Sequence, residues 1–166
     1  MQIRDAVADD AKAIAAIYNP FIANTTISFE EEPVSDAAMA QRIADVQAGG
    51  LPWLVAERDG KVAGYAYATK WRVRHAYRFS VESSVYLAPE CAGQGLGTAL
   101  YVALLEQLRA RGCHLVIGGI ALPNEASVAL HERMGYEKVA HFREVGFKFG
   151  RWLDVGYWQK TLAQPA

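Results

Sequence analysis

Residues 79–87 read Phe79-Ser80-Val81-Glu82-Ser83-Ser84-Val85-Tyr86-Leu87, followed by Ala88-Pro89-Glu90-Cys91-Ala92 and Gly93-Gln94-Gly95-Leu96-Gly97. The first segment is rich in β-branched and aromatic residues, with Val81, Val85 and Leu87 apolar, and predicts a strand. The second breaks it. After the glycines, Leu100, Leu104, Leu105 and Leu108 recur at helical spacing until Gly112 stops the run. Strand, glycine loop and helix together form a phosphate-holding arrangement. Glycines let the backbone approach and turn, and the first N–H groups of a helix have no partner inside it. The helix dipole adds partial positive charge at that end.

The loop is not one of the two common nucleotide patterns. The mononucleotide loop ends in Gly-Lys-Ser/Thr, whereas Gly97 runs directly into Thr98. The dinucleotide pattern puts a third glycine where Thr98 or Leu100 stands, and the next expected strand, Leu115 to Ala121, carries no acidic residue to hold a ribose. Both nucleotide readings are therefore weak, and from context alone the glycines read either as the seat of another phosphate ligand or as a tight turn only.

Working outward, the chain reads as a single domain spanning residues 1–166, long enough to bury roughly 70% of its unfolded surface. A hydrophobic share of 52% with 21% charged residues excludes a disordered chain. A net charge of −1 gives no bulk attraction to nucleic acid or membrane. Cys91 and Cys113 have neither disulfide-framework nor metal-ligand spacing, so no metal is expected. The N-terminus does not read as a signal peptide, and the longest apolar run, Leu115 to Leu122, is far short of the ~20 residues that span a bilayer. These features point to a soluble cytoplasmic protein.

The other elements follow from patterning. Gln2 to Ala6 predicts a short strand. Asp9 or Asp10 caps a helix carrying Ile14, Ile17, Tyr18, Phe21 and Ile22, which Pro20 is expected to break or kink. Ile27-Ser28-Phe29 reads as extended. Ser35 caps a helix that turns Met39, Ile43 and Val46 inward and ends at Gly49-Gly50. Trp53 to Glu57 and Lys61 to Thr69 form a hairpin through Asp59-Gly60. After the central stretch come a strand at Leu115 to Ala121, a helix from Asn124 to Met134, and strands near Tyr136 to Phe147 and Leu153 to Leu162.

The loop from Ala92 to Gly97 resembles the Gln/Arg-x-x-Gly-x-Gly/Ala motif of the GNAT superfamily of N-acetyltransferases, with Gly95 and Gly97 on the two glycines and Ala92 in place of Gln or Arg. Asn24-Thr25-Thr26, Pro52 to Glu57, Val81 to Tyr86, Leu122-Pro123-Asn124 and Gly150 to Gln159 narrow the resemblance to the phosphinothricin N-acetyltransferase family. It implies an α/β (α+β) fold, a mixed and mostly antiparallel β-sheet flanked by helices. It implies acetyl-CoA as cosubstrate. The backbone of Val85, Tyr86 and Leu87 is expected to pair with the pantetheine arm, and a bulge there to aim an N–H at the thioester carbonyl. Gly93, Gln94, Gly95, Leu96, Gly97 and Thr98 are expected to cradle the pyrophosphate. Asn124 and Ser127 lie where the family's second cofactor helix begins; capping by Asn124 reads equally well.

Acetyl transfer to an amine needs a base for the amine, polarisation of the carbonyl and a proton for the thiolate. Glu82 shares a strand face with Ser84, opposite Val81, Ser83 and Val85. Residue type leaves it open whether Glu82 is solvated or catalytic; the resemblance implies the base. His131, on the helix from Asn124, reads as either structural or catalytic. Trp71-Arg72-Val73-Arg74-His75-Ala76-Tyr77-Arg78 is rich in arginine, whose planar fork suits an anionic or strongly polar head. The resemblance places Arg72, Arg74, Tyr77, Phe29 and Tyr67 around the acceptor and implies a small amino acid with a tetrahedral polar head: phosphinothricin, methionine sulfoximine or methionine sulfone. It also implies a homodimer, and the aromatic density of Val145 to Gln159 favours one. A non-catalytic coenzyme A sensor, or acetylation of another small amine, is the alternative.

Overall fold

The computed structural model describes residues 1–163. Seven strands form one sheet: β1 (Gln2–Asp5), β2 (Trp53–Arg58), β3 (Lys61–Lys70), β4 (Ser80–Leu87), β5 (Leu115–Leu122), β6 (Glu137–Lys148) and β7 (Arg151–Thr161). Their order is β1-β2-β3-β4-β5-β7-β6, and the β4–β5 pair is parallel while the others are antiparallel. The helices are α1 (Ala11–Asn24), α2 (Asp36–Ala48), α3 (Leu96–Ala110) and α4 (Glu125–Arg133). This is the expected mixed, mostly antiparallel sheet flanked by helices.

Strand alternation divides the core. On β2, Trp53 and Val55 pack with α1 and α2, whereas Leu54 and Ala56 pack with α3. Tyr65 and Ala66 of β3 separate in the same way. The leucine stripe of α3, Leu100, Leu104 and Leu108, is fully buried against the small side chains Ala66 and Ala68. The β2–β3 turn is the predicted one: Asp59 and Gly60 both have positive φ, 53° and 75°.

Two expectations are corrected. Pro20 lies inside α1, which runs unbroken from Ala11 to Asn24. Asn19 beside it is tied to residue 34 by two side-chain hydrogen bonds, Asn19 Nδ2 to Val34 O and Val34 N to Asn19 Oδ1, both 2.9 Å. Residues 27–29 form no strand: a bend runs over residues 26–28, and the Ser28 carbonyl is taken by the Lys148 ammonium instead of a neighbouring strand. At the helix starts, Ser35 caps α2 by accepting from Ala38 N, as predicted. The Asp10 carboxylate instead accepts from Arg4 and from Val7 N.

The feature that positions the site is a parting of strands. The β4–β5 ladder pairs Ser80 with Leu115, Val81 with Val116 and Glu82 with Ile117, and ends there. Yet β4 runs on to Leu87, bonded to β3, and β5 to Leu122, bonded to β7. Two strand edges with unpaired backbone groups therefore face each other across a wedge.

Candidate active site

Beyond the wedge, β4 leads through a short turn at Pro89–Cys91 into the glycine loop. Gly93 and Gly95 adopt φ values of 74° and 78°, a region that favours glycine. Gly95 is the residue before the first turn of α3, so the free N–H groups of that turn open toward the loop. Gly97 lets α3 sit close to α4: a side chain there would press on Leu130 at 3.3 Å. A groove of about 560 Å³ runs from the wedge to this loop.

The groove brings together nearly all the residues the sequence assigned to the cofactor. Val85, Tyr86 and Leu87 form one wall; Gly93, Gly95, Leu96, Gly97 and Thr98 form the end; Asn124 and Ser127 form the other wall. Gln94 is turned away, bonded to Arg58 and to the carbonyl of Glu90. Asn124 caps α4, its Oδ1 accepting from Ser127 N at 3.2 Å, so capping and lining coexist. Among the described residues the β3–β4 register runs unshifted from Lys70–Val81 to Gly64–Leu87, so the expected bulge is absent. An extended backbone edge, a glycine loop at a helix start and a long groove match the requirements of a thioester on a pantetheine arm with a pyrophosphate. The groove also contains Arg133 and Ile27, which the sequence did not single out. Arg133 is a cation at the C-terminal end of α4, where it reads in sequence as an ordinary surface charge.

Glu82 lies at the point where the strands part, in a cleft of about 340 Å³ with Phe29, Ser84, Ala121, Val155 and Tyr157. Burial raises its pKa above the ordinary carboxylate value, and the charge of Arg72 opposes part of that rise. A carboxylate with a raised pKa is a better proton acceptor at neutral pH than a solvated one.

The predicted acceptor residues divide. Phe29 is in the cleft with Glu82. Tyr67 is on the same sheet face, its ring stacked on Trp53 at 4.1 Å. Arg72, its guanidinium over the Trp71 ring at 4.1 Å, and Tyr77 line an adjoining cleft that shares Tyr157. Arg74 is exposed and lines neither cleft.

His131 is buried on the opposite side of the sheet from Glu82. Its Nδ1 stands 2.7 Å from the carbonyl oxygen of Ser127, which can only accept, so Nδ1 carries the proton. Nε2 is then free to accept from the hydroxyl of Tyr101 at 3.0 Å. Tyr101 also meets Ser83 Oγ at 3.2 Å, and Ser83 meets Tyr136 Oη at 2.9 Å. This chain of hydroxyls borders a small cavity of about 60 Å³ inside the wedge. Burial lowers the pKa of His131, and the Ser127 carbonyl partly offsets this. Two glycines of β5 make room for the flanking rings. A side chain at 118 would stand 2.7 Å from His131 Nε2, and one at 119 would stand 3.0 Å from Tyr157. Among the described residues, no group of His, Cys, Asp and Glu could hold a metal. No helix among them is long and apolar enough to cross a membrane.

Comparison with known proteins agrees with this geometry. The model of the acetyltransferase (GNAT) domain matches residues 3–156. A phosphinothricin N-acetyltransferase of Alcaligenes faecalis is 46% identical over 93% of this chain and 79% of its own. An L-methionine sulfoximine/L-methionine sulfone acetyltransferase of Pseudomonas aeruginosa is 44% identical over 96% and 94%. The crystal structure of a phosphinothricin acetyltransferase from Sinorhizobium meliloti in complex with acetyl-CoA superposes with a TM-score of 0.94, at 42% identity, covering 97% of this chain and 88% of that one. The chain belongs to the GNAT acetyltransferase family and is an acetyl-CoA-dependent N-acetyltransferase.

Proposed function

We propose that the acceptor is the α-amino group of a small amino acid with a tetrahedral polar head, of the phosphinothricin, methionine sulfoximine or methionine sulfone kind, and that transfer is direct in a ternary complex. The observation that carries this reading is the position of Glu82. It stands at the opening of the strand wedge, between the groove for the thioester and a cleft bordered by Phe29 and Tyr157, with Arg72 close enough to perturb its proton affinity. Amine and thioester then meet on the enzyme without a covalent enzyme intermediate.

In this reading Glu82 takes a proton from the ammonium, directly or through a water. The amine nitrogen bonds to the thioester carbon, the carbon–sulfur bond breaks, and the sulfur leaves with the electron pair. The thiolate takes its proton from solvent, by way of the hydroxyls of Ser83 and Tyr101 that border the small cavity inside the wedge. With Nδ1 committed to the Ser127 carbonyl, neutral His131 has no proton at Nε2 to give, and its part is to hold the Tyr101 hydroxyl in place. Arg72 and Tyr77 supply the polar side of the acceptor cleft.

The test is kcat/KM measured by thiol release on a panel of amines. The expected result is a preference for amino acids with oxyanion or sulfonyl heads over apolar ones of similar size. Equal activity on all, or activity confined to polyamines, overturns it. We also propose a homodimer, supported by the exposed apolar side chains of the β6–β7 hairpin.

A further inference from the structure

Lys148, the last residue of β6, is buried: 2% of it is exposed. Its Nζ donates to three backbone carbonyls, Ile22 O and Thr25 O at 2.8 Å and Ser28 O at 2.6 Å. An ammonium has three protons, so its donor capacity is filled. Ile22 lies in the last turn of α1, where carbonyls have no helical partner and the dipole favours a cation. Thr25 and Ser28 belong to the link that follows. Among the described residues the backbone of 26–29 makes no hydrogen bond to another backbone group. This link is therefore held by side chains, and Lys148 is the one that spans it.

The link carries Ile27, which borders both the cofactor groove and the Glu82 cleft, and leads to Phe29, which borders the latter. β6 shapes the same wall a second time. Gly146, two residues before Lys148 and on the same face, leaves room for the Phe29 ring, which any side chain there would overlap.

We propose that Lys148 is a positioning residue for the acceptor site: by gathering the carbonyls of Ile22, Thr25 and Ser28, it sets where Ile27 and Phe29 stand and so which amines fit. The inference rests on the acceptor cleft proposed above. Lys148→Met keeps the stem and removes the three donors. With phosphinothricin, methionine sulfone and leucine as acceptors, the variant should raise KM for the two polar-headed acceptors by about 10-fold and narrow their advantage over leucine. Its kcat at saturation should change by less than about 3-fold, and its KM for acetyl-CoA should rise less than that for the polar-headed acceptors, because Ile27 borders the cofactor groove as well. Phe29→Ala combined with Lys148→Met should cost less than the product of the single effects, because both act on one wall. Lys148→Gln, which keeps an amide donor, should fall between wild type and Met, and it carries the test if the Met variant does not fold. An equal loss on every amine, or strictly multiplicative effects of the two substitutions, overturns the proposal. The ranking of amines by the wild type tests the acceptor reading; the change in that ranking tests Lys148, whichever amine ranks first.

Discussion

At the scale of single residues, the proposed mechanism separates two proton functions across the sheet. Glu82 is on the face toward α1 and α2, and His131 with Tyr101 is on the face toward α3. Glu82→Gln should lower kcat by ~10²-fold or more while acetyl-CoA binding persists, as shown by calorimetric titration. The acid limb of the wild-type rate profile should lie above the ordinary carboxylate pKa of about 4.3, because burial raises that of Glu82. Stability carries the opposite sign. A carboxyl whose pKa is raised by folding favours the native state when protonated, and that advantage is lost as pH rises through the folded value. Glu82→Gln should therefore raise Tm at pH 7, and the gain should vanish near pH 4. A gain that persists there would mean that burial of the charge is not its cause. Arg72→Ala should cut kcat/KM by roughly 10- to 100-fold for polar-headed acceptors, with lysine restoring only part. Arg74→Ala should matter less, since Arg74 lines neither cleft. The place of Glu82 beside the cofactor groove was legible because its strand enters the glycine loop, while its role was not. Lys148 was not: a lysine near a strand end reads as solvated, and the carbonyls that bury it are more than a hundred residues away.

At the scale of elements, strand–loop–helix order and the glycine loop were legible because periodicity and turn chemistry are local signals. The parting of β4 from β5 was not, since both strands continue past it with good strand residues. What marks it is Gly118 and Gly119 in β5, which look like weak points until the rings of His131 and Tyr157 are seen beside them. The unbroken α1 and the unpaired 27–29 segment have the same origin. Tertiary bonds from Asn19 and Lys148 override what proline and apolar residues suggest on their own. Gly118→Ala tests the wedge. The added methyl would meet His131 Nε2 and push the ring from Tyr101. Overpacking of this kind costs about 1–3 kcal/mol, which in a chain of this size lowers Tm by about 2–4 °C per kcal/mol. The kcat should fall about 10-fold, more steeply than KM for the acceptor rises, because thiolate protonation is affected and the amine site is not. A normal kcat with a lowered Tm would leave His131 a structural residue.

At the scale of the whole molecule, the β6–β7 hairpin is hard to reconcile with a free surface. Phe142, Val145, Phe147, Phe149 and Trp152 are each more than half exposed, while Trp158 on the same hairpin is buried. Large apolar side chains clustered at one edge of a sheet mark an interface or an aggregation hazard. Val145 connects this patch to the site, since it also lines the Glu82 cleft. A second copy seated on the hairpin would close the outer side of that cleft. The dimer and the acceptor site are then coupled, whereas the groove at the glycine loop is bounded by β4, α3 and α4. Phe147→Asp with Trp152→Lys places charges in the centre of the patch without touching the groove. Light scattering at micromolar concentration should show a dimer for the wild type and a monomer for the variant. The monomer should bind acetyl-CoA within about 2-fold of wild type and lose about 10-fold or more in kcat/KM for the amine. A monomeric wild type would remove the dimer. A dissociated variant with unchanged amine kinetics would keep the dimer but separate it from the acceptor site.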